Sequence, residues 1–393
     1  VLSQQATKAR PAAGAPPRAA PANAYDLREL AGAFGDLGTL VPFVVGYVAV
    51  AKLDPAGILL TLGLAQVAAG LHYRTPIPVQ PMKAIAGAAI ASGGAAGPGA
   101  ICGAGLFTGL FWLVAGATGT VSLATRLATK PIVRGIVVGL GLRFIGEGAE
   151  LMWVTPWLGG LGLALTFALL GRRGLPPMFA LLLLGAAAAW VLDPGQARQV
   201  LAIRPAFRLP EVALGRFGWS ELLEGALVLA IPQLPLTMGN AIIAVRAENN
   251  RLFPESPVTD RALALSHGLV NLVSAPLGGI PLCHGAGGMA GHVRFGARTG
   301  GALVMLGAIL MGLGLFFSGS VALLFRVFPG AVLGVILFFA GAELALAGRD
   351  IGREKEDVYL MVVVAGLAAW NMGAAFLAGV ILSLVLRRGW VRI

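Results

Sequence analysis

Fourteen apolar segments, almost free of charge, follow one another along this chain, and that alternation restricts the fold before any motif is considered. They run over roughly 29–50, 57–71, 76–92, 98–120, 131–148, 155–171 and 176–192, then 221–244, 261–277, 279–294, 299–322, 329–347, 358–371 and 373–386. Only 12% of the 393 residues are Asp, Glu, Lys or Arg, while 57% are apolar. Soluble proteins carry about 25% charged residues, so a water-soluble enzyme of this length would lack the charge to cover its outside. Apolar stretches joined by short basic turns mark an all-α polytopic membrane protein in a lipid bilayer. Several segments fall short of the about 20 residues a span needs, which leaves their boundaries open.

The remaining chain divides the segments into two groups of seven. Residues 1–24 are rich in Ala and Pro, with Lys8, Arg10 and Arg18 and no acids. They lack a secretory core and read as a disordered N-terminal tail. Residues 193–220 carry Arg198, Arg204, Arg208 and Arg216 together with prolines and read as an interfacial connector. The domain reading is therefore a first repeat over 25–192 and a second over 221–388. With both termini cytoplasmic, 21 of the 29 Lys and Arg residues fall inside and six outside. That split obeys the positive-inside rule and suits a cell inner or plasma membrane. The arginines of the connector are the part that fits poorly. The net charge of +11 is thus a topology signal, and no basic patch interleaves with aromatics to suggest nucleic acid.

The two groups are related. Ile77-Pro78-Val79 stands in the third segment of the first and Ile280-Pro281-Leu282 in the third of the second, each followed by small residues. Gly35-Asp36 and Gly239-Asn240 match in the first segments, and Pro131/Gly135 and Pro329/Gly334 in the fifth. Seven is odd, so the halves have inverted topology, the signature of secondary transporters with a midplane site. The glycines follow the same plan: 87–109 holds eight and 278–301 nine of the 57, so they cluster at and after the two proline-broken segments.

Proline removes a backbone N–H and biases the preceding residue away from helix. Each third segment should therefore enter extended and become a half-helix near the membrane centre. Two half-helix N-termini facing one another from opposite sides would offer unpaired N–H groups and positive helix ends to one small anion, such as a tetrahedral oxyanion. A plain kink in a packed helix is the structural alternative.

Four blocks, ELAGAFGDLGTLVPF (29–43), PIPVQPMKAIAGAAIA (76–91), PQLPLTMGNAIIA (232–244) and GIPLCHGAGGMAGHVRFGARTGG (279–301), resemble the molybdate transporter family of sulfate-permease-like proteins. The resemblance covers nearly all of 25–388. It implies the inverted seven-plus-seven fold of sulfate and nucleobase permeases, with a core of segments one to four and eight to eleven and a gate of the rest. It also implies transport of molybdate, with sulfate or tungstate as close relatives. The chain ends soon after its last span, so the cytoplasmic regulatory domain of sulfate permeases is expected to be absent, as in the molybdate branch.

Ionisable groups at membrane depth are functional candidates. The expected substrate site is Thr39, Gln80, Pro81, Met82, Lys83, Gln233, Asn240, Cys283, His284 and Gly285. Gln233, Thr237 and Asn240 recur at i, i+4 and i+7 and share one helix face. Lys83, read as one turn into the first half-helix, either attracts substrate or snorkels. Asp36, His284 and Glu343 are the proton-coupling candidates, with structural hydrogen bonding as the alternative for each. Arg143 lies at a depth comparable to Glu343, and an interdomain pair between them is expected. His267 and Asn271 should join helices by hydrogen bonds, while His72, His292, Arg294 and Arg298 lie near span ends and read as interfacial. The mixed run from Arg349 to Asp357 reads as a solvated loop.

Cys102 and Cys283 form neither a disulfide framework nor a metal cluster. No Walker loop is present, and HGAGGMAG follows no βαβ unit. No enzyme activity, cofactor or metal is expected. The function read from the sequence is proton-coupled oxyanion import, most specifically of molybdate, with a homodimer left open. A sulfate transporter, an uncoupled anion channel and a non-transporting oxyanion receptor are the alternatives.

Overall fold

Proline sets the starts of many helices, because its missing N–H and fixed φ fit the first turn. Asp54 caps α3 (Pro55–Tyr73) by accepting from Ala56 N–H at 3.2 Å, and Pro55 opens it. Proline likewise stands in the first two residues of α5 (Pro98–Thr118), α7 (Lys130–Trp153) and α8 (Pro156–Leu169). The computed structural model describes residues 22–393 except 93–94, 128, 171–176, 214, 216, 322, 325–328, 353, 389 and 391–393. Residues 1–21 of the expected tail lie outside the described residues, as do Arg172, Arg173, Arg216, Arg326, Arg353 and Arg392 of the orientation count.

The chain begins with α1 (Leu27–Ala33), which passes through a 3-10 turn at Phe34–Asp36 into α2 (Leu37–Ala49). After α3 comes a short strand β1 (Val79–Pro81) and the half-length helix α4 (Lys83–Ala91), followed by α5. A short α6 (Thr120–Thr125) precedes α7 and α8. The first half closes with α9 (Pro177–Leu192), bent by 116° into α10 (Pro194–Leu201). The second half opens with the long α11 (Trp219–Leu252) and α12 (Asp260–Ser274). Then β2 (Leu282–His284) leads into the half-length α13 (Ala286–Phe295). The last helices are α14 (Gly301–Phe317), α15 (Gly330–Ala345), α16 (Lys355–Trp370) and α17 (Met372–Arg387).

The protein is a mostly helical, polytopic membrane protein. By length and composition α3, α5, α11 and α14 are each long and apolar enough to cross a bilayer, and Leu27–Ala49 and Pro177–Leu201 qualify as bent pairs. The expected strand–half-helix segments are present in both halves.

Glycine lets the halves interlock as an inverted pair. A Cβ on Gly141 of α7 would lie 2.6 Å from the Gly341 carbonyl oxygen of α15, and one on Gly341 would lie 2.6 Å from that of Gly141. Gly148 and Gly334 repeat this at 2.7 and 2.6 Å. The fifth helix of one repeat thus meets the fifth of the other, backbone on backbone. Gly63 and Gly70 of α3 meet Gly307 of α14 and Gly300, the residue just before that helix, which pairs a second helix with a fourth. Gly109 and Gly116 of α5 press on Leu272 and Leu265 of α12, the reciprocal pairing of a fourth with a second. Small residues that let helix backbones approach are the usual means of packing in lipid, where apolar burial drives little.

Candidate anion site between the two half-helices

The two strands cross at the centre of the molecule. β1 pairs antiparallel with β2, with Val79 opposite His284, Gln80 opposite Cys283 and Pro81 opposite Leu282. Two carboxamides from equivalent helices hold the crossing. Gln66 of α3 accepts from the Val79 N–H at 3.0 Å and donates to its carbonyl at 2.9 Å. Asn271 of α12 does the same to Leu282, accepting at 2.8 Å and donating at 2.6 Å. The Met82 N–H donates to the Pro281 carbonyl at 2.9 Å, so each half-helix starts beside the other's strand.

Both half-helices begin on extended residues, Met82 and Gly285, with no cap from their own side chains. Their N-terminal N–H groups would otherwise be orphaned. α11 supplies one acceptor to each. Gln233 Oε1 accepts from Ala84 N–H at 2.8 Å, and Asn240 Oδ1 accepts from Ala286 N–H at 3.3 Å. Gln233 in turn donates to Thr237 at 3.0 Å. The helix that carries them contains two π-helical stretches, Gly225–Ala230 and Thr237–Ala244, a widening that often marks functional positions. The polar stripe Gln233–Thr237–Asn240 is buried, and its first and last members reach the half-helix ends.

Around Gln80 a second network closes. Its Nε2 donates to Asp36 Oδ2 at 2.5 Å and to Thr39 Oγ1 at 3.1 Å, and the Thr39 hydroxyl donates to the Asp36 carboxylate. Glycine is required opposite: a Cβ on Gly285 would collide with Gln80 Oε1, and one on Gly288 with Gln80 Nε2. Gln80 Oε1 and the Tyr47 hydroxyl are buried without hydrogen-bond partners.

A cavity of about 1010 Å³ opens onto this point, with Thr39, Lys83, Ala84 and Asn240 in its wall. Arg143, Glu147, Glu150 and Asn371 also line it. Lys83 is the first residue of α4, not one turn in as expected, so its charge stands at the positive helix end. Its Nζ is buried, has no hydrogen-bond partner and lies 3.9 Å from the Phe144 ring centroid. A desolvated cation–π contact contributes about 2 kcal/mol, and the Asp36 and Glu147 carboxylates lie near enough to act on the charge without hydrogen-bonding it. The arrangement can therefore attract a negative charge to the start of α4, where Lys83 and Ala84 stand in the cavity wall.

Several expectations need correction. His284 does not face the cavity: Nδ1 donates to the Pro78 carbonyl at 2.9 Å, and Nε2 accepts from Ser266 at 2.8 Å. Its position opposite Val79 puts it on the other face of the strand pair from Gln80 and Cys283. Cys283 is buried, with Sγ 4.0 Å from the Pro81 carbonyl oxygen. Arg143 and Glu343 do not pair. Arg143 donates to Glu147 one turn away at 2.7 Å, and Glu343 faces Arg294 at 3.6 Å. His292, expected near an interface, is fully buried and donates from Nδ1 to the Gly32 carbonyl at 2.7 Å. His267 and Asn271 do join elements as expected, His267 Nε2 accepting from His284 N–H at 3.0 Å. Sequence reasoning misses Tyr47, Gln66 and Phe144, for nothing in their local spacing distinguishes them from ordinary span residues.

Two inverted halves, half-helices that meet through paired strands and a cavity beside them define a multi-pass membrane protein of the transporter class. A family profile described as "Molybdate transporter of MFS superfamily" matches residues 28–144 and 225–344, one block in each half. Molybdate transporter 2 of Arabidopsis thaliana is 33% identical over 91% of this chain and 87% of its own length. Molybdate transporter 1 of Chlamydomonas reinhardtii is 31% identical over 90% of each chain. The chain belongs to the molybdate transporter family. Among solved structures, the transmembrane domain of a cyanobacterial bicarbonate transporter, BicA, superposes with a TM-score of 0.52 at 16% identity, covering 91% of this chain and 97% of that one. Murine Slc26a9 in its inward-facing state gives 0.56 at 13% identity, covering 95% and 70%. These two share the fold.

Proposed function

We propose that this protein imports molybdate, a tetrahedral oxyanion, by proton-coupled alternating access. The observation that carries the reading is the buried Lys83 ammonium, without a hydrogen-bond partner, at the start of α4, where two half-helix N-termini approach one another. Lys83 supplies the positive charge, and the N–H groups at the starts of α4 and α13 supply directed donors. Gln233 and Asn240 hold one N–H of each half-helix while no anion does so. Asp36 carries the coupling proton, and the Gln80–Thr39 bonds link its carboxylate to the site. The domains are the repeats 25–192 and 221–388 joined by the connector 193–220, with both termini cytoplasmic as the basic residues are sorted. The names of the relatives support molybdate specifically; the chemistry of the site supports compact oxyanions generally.

The test is uptake of labelled molybdate by the purified chain in liposomes, with and without an inward proton gradient. Accumulation that rises with the gradient and yields weakly to excess sulfate is the expected result. Equal competition by sulfate would make the protein a general oxyanion carrier. Voltage-scaled flux without proton coupling would make it a channel, and binding without flux a receptor.

A further inference from the structure

α1 with its 3-10 turn and α13 run antiparallel in a close register. A Cβ on Gly288 would lie 2.7 Å from Asp36 Oδ2, and one on Gly35 would overlap the Gly291 carbonyl group. One turn further the Gly32 carbonyl accepts from His292 Nδ1 at 2.7 Å. Next, a Cβ on Gly296 would be 2.8 Å from the Arg28 carbonyl oxygen. Then Glu29 Oε1 accepts from Arg298 N–H at 2.8 Å and Thr299 N–H at 2.9 Å. Asp36, His292 and Glu29 therefore lie in that order along one interface, 2%, 0% and 3% exposed. The file starts at the site and ends at the first turn of α1, whose N-cap is the exposed Asp26.

Two atoms in this file are buried without a hydrogen-bond partner: His292 Nε2 and Glu29 Oε2. The other two buried histidines of the core differ. His267 uses both ring nitrogens, on the Leu263 carbonyl and the His284 N–H, and His284 uses both, on Pro78 and Ser266. A histidine kept only for packing would be satisfied as they are, because an open buried nitrogen is costly. Asp36 is faced by Thr39, Gln80, Lys83, Cys283 and His292. His292 is faced by Asp36 and the Gly32 carbonyl. Glu29 is faced by the backbone N–H groups of Arg298, Thr299 and Ala302 and by the Thr299 hydroxyl. The Arg298 guanidinium is turned onto the Val293 and Ala297 carbonyls, and Arg294 onto Glu343.

We propose that Asp36, His292 and Glu29 form a proton file from the anion site to the exposed start of α1. A proton taken up by Asp36 with the anion passes to His292 Nε2, whose ring is held by its Nδ1–H on Gly32. Among the described residues the Asp36 carboxylate bonds only Thr39 and Gln80, and His292 Nε2 and Glu29 Oε2 bond nothing, so each transfer runs through water. The proton then reaches Glu29 Oε2 and leaves, each step moving one proton and restoring the donor. Sequence position alone gives no such route, since His292 stands in the second repeat and the other two in the first. The inference rests on the transporter reading above.

Two assays on the full chain in liposomes separate them: molybdate-for-molybdate exchange at equal pH, and accumulation driven by an acid exterior, with an internal pH dye. His292→Gln and Glu29→Gln are expected to exchange within about twofold of wild type, yet to lose gradient-driven accumulation and the dye signal at least tenfold. In Glu29→Gln the new amide oxygen still accepts from the Arg298 and Thr299 N–H groups, so this variant decides the matter if His292→Gln does not fold. Retained gradient-driven accumulation in a folded variant overturns the file, as does a wild type that exchanges but ignores the gradient. A wild type that does neither overturns the transporter reading instead.

Discussion

Arg134 donates to Glu248 across 3.0 Å with both side chains buried, tying the first turns of α7 to the last turns of α11. Glu248 also takes Arg251 at 2.5 Å, and nearby Asp260 takes Arg246 at 2.5 Å and the Thr125 hydroxyl at 2.5 Å. Glu150, on the cavity wall, lies sixteen residues beyond Arg134 on the same helix, about 24 Å along its axis. The ion-pair cluster thus closes the end of the α7–α11 contact away from Glu150. Removing one member of a buried pair leaves an uncompensated charge and costs about 3–5 kcal/mol. Glu248→Ala should lower the thermal midpoint markedly in detergent, and Arg134→Met with Glu248→Leu should recover most of the loss. Equal midpoints for single and double variants would contradict a dominant charge penalty.

Glycine substitutions should separate packing from binding. At Gly35 an added Cβ overlaps the backbone of Gly291, which cannot yield without parting α1 from α13. At Gly288 it meets the end of the Gln80 side chain and, at 2.7 Å, the Asp36 carboxylate, groups that can turn aside. Gly35→Ala is expected to give little folded protein. Gly288→Ala should fold yet lose most molybdate uptake, because the Asp36–Gln80 bond cannot form. Size-exclusion profiles and uptake on the same preparations check both.

Much of this is legible from residue order, for a physical reason. Pro78 and Pro281 forbid a continuous helix through the third segment of each half, so the extended entry and half-helix follow locally. Gln233 and Asn240 are legible because helical periodicity places them on one face. His284 is not, because strand alternation, which sends it away from Gln80, depends on the β1–β2 register. That pairing joins residues some 200 positions apart. The depths of His292 and Lys83 escape the sequence because they depend on where each half-helix starts.

The matched carboxamides of α3 and α12 should be energetically matched too. Gln66→Leu frees the N–H and carbonyl of Val79, and Asn271→Leu those of Leu282, each in a buried strand. An unsatisfied buried group costs about 1–3 kcal/mol. Each variant should therefore lose about 2–6 kcal/mol by that sum, and the two losses should be similar. Thermal or denaturant unfolding in detergent tests this. A large loss in one and none in the other would show that only one crossing strand depends on its clamp.

Lys83 should show function held against stability. Its ammonium is buried, has no hydrogen-bond partner and stands at the positive end of α4, with the Phe144 ring against it. Burial and the helix end both disfavour the folded state without a bound anion, and the Asp36 and Glu147 carboxylates nearby offset only part of that. Lys83→Met keeps the length of the side chain and removes the charge, so the apo protein should gain stability, with a rise of a few degrees in the thermal midpoint. The same change removes the side-chain cation that stands in the cavity wall at the start of α4. Molybdate affinity should fall at least tenfold, which corresponds to about 1.4 kcal/mol, and the stabilisation of wild type by added molybdate should largely disappear. Thermal unfolding with and without molybdate reads both effects in one titration. A variant that is less stable than wild type and still protected by molybdate would show that Lys83 serves the packing of α4 against α7 and not the anion.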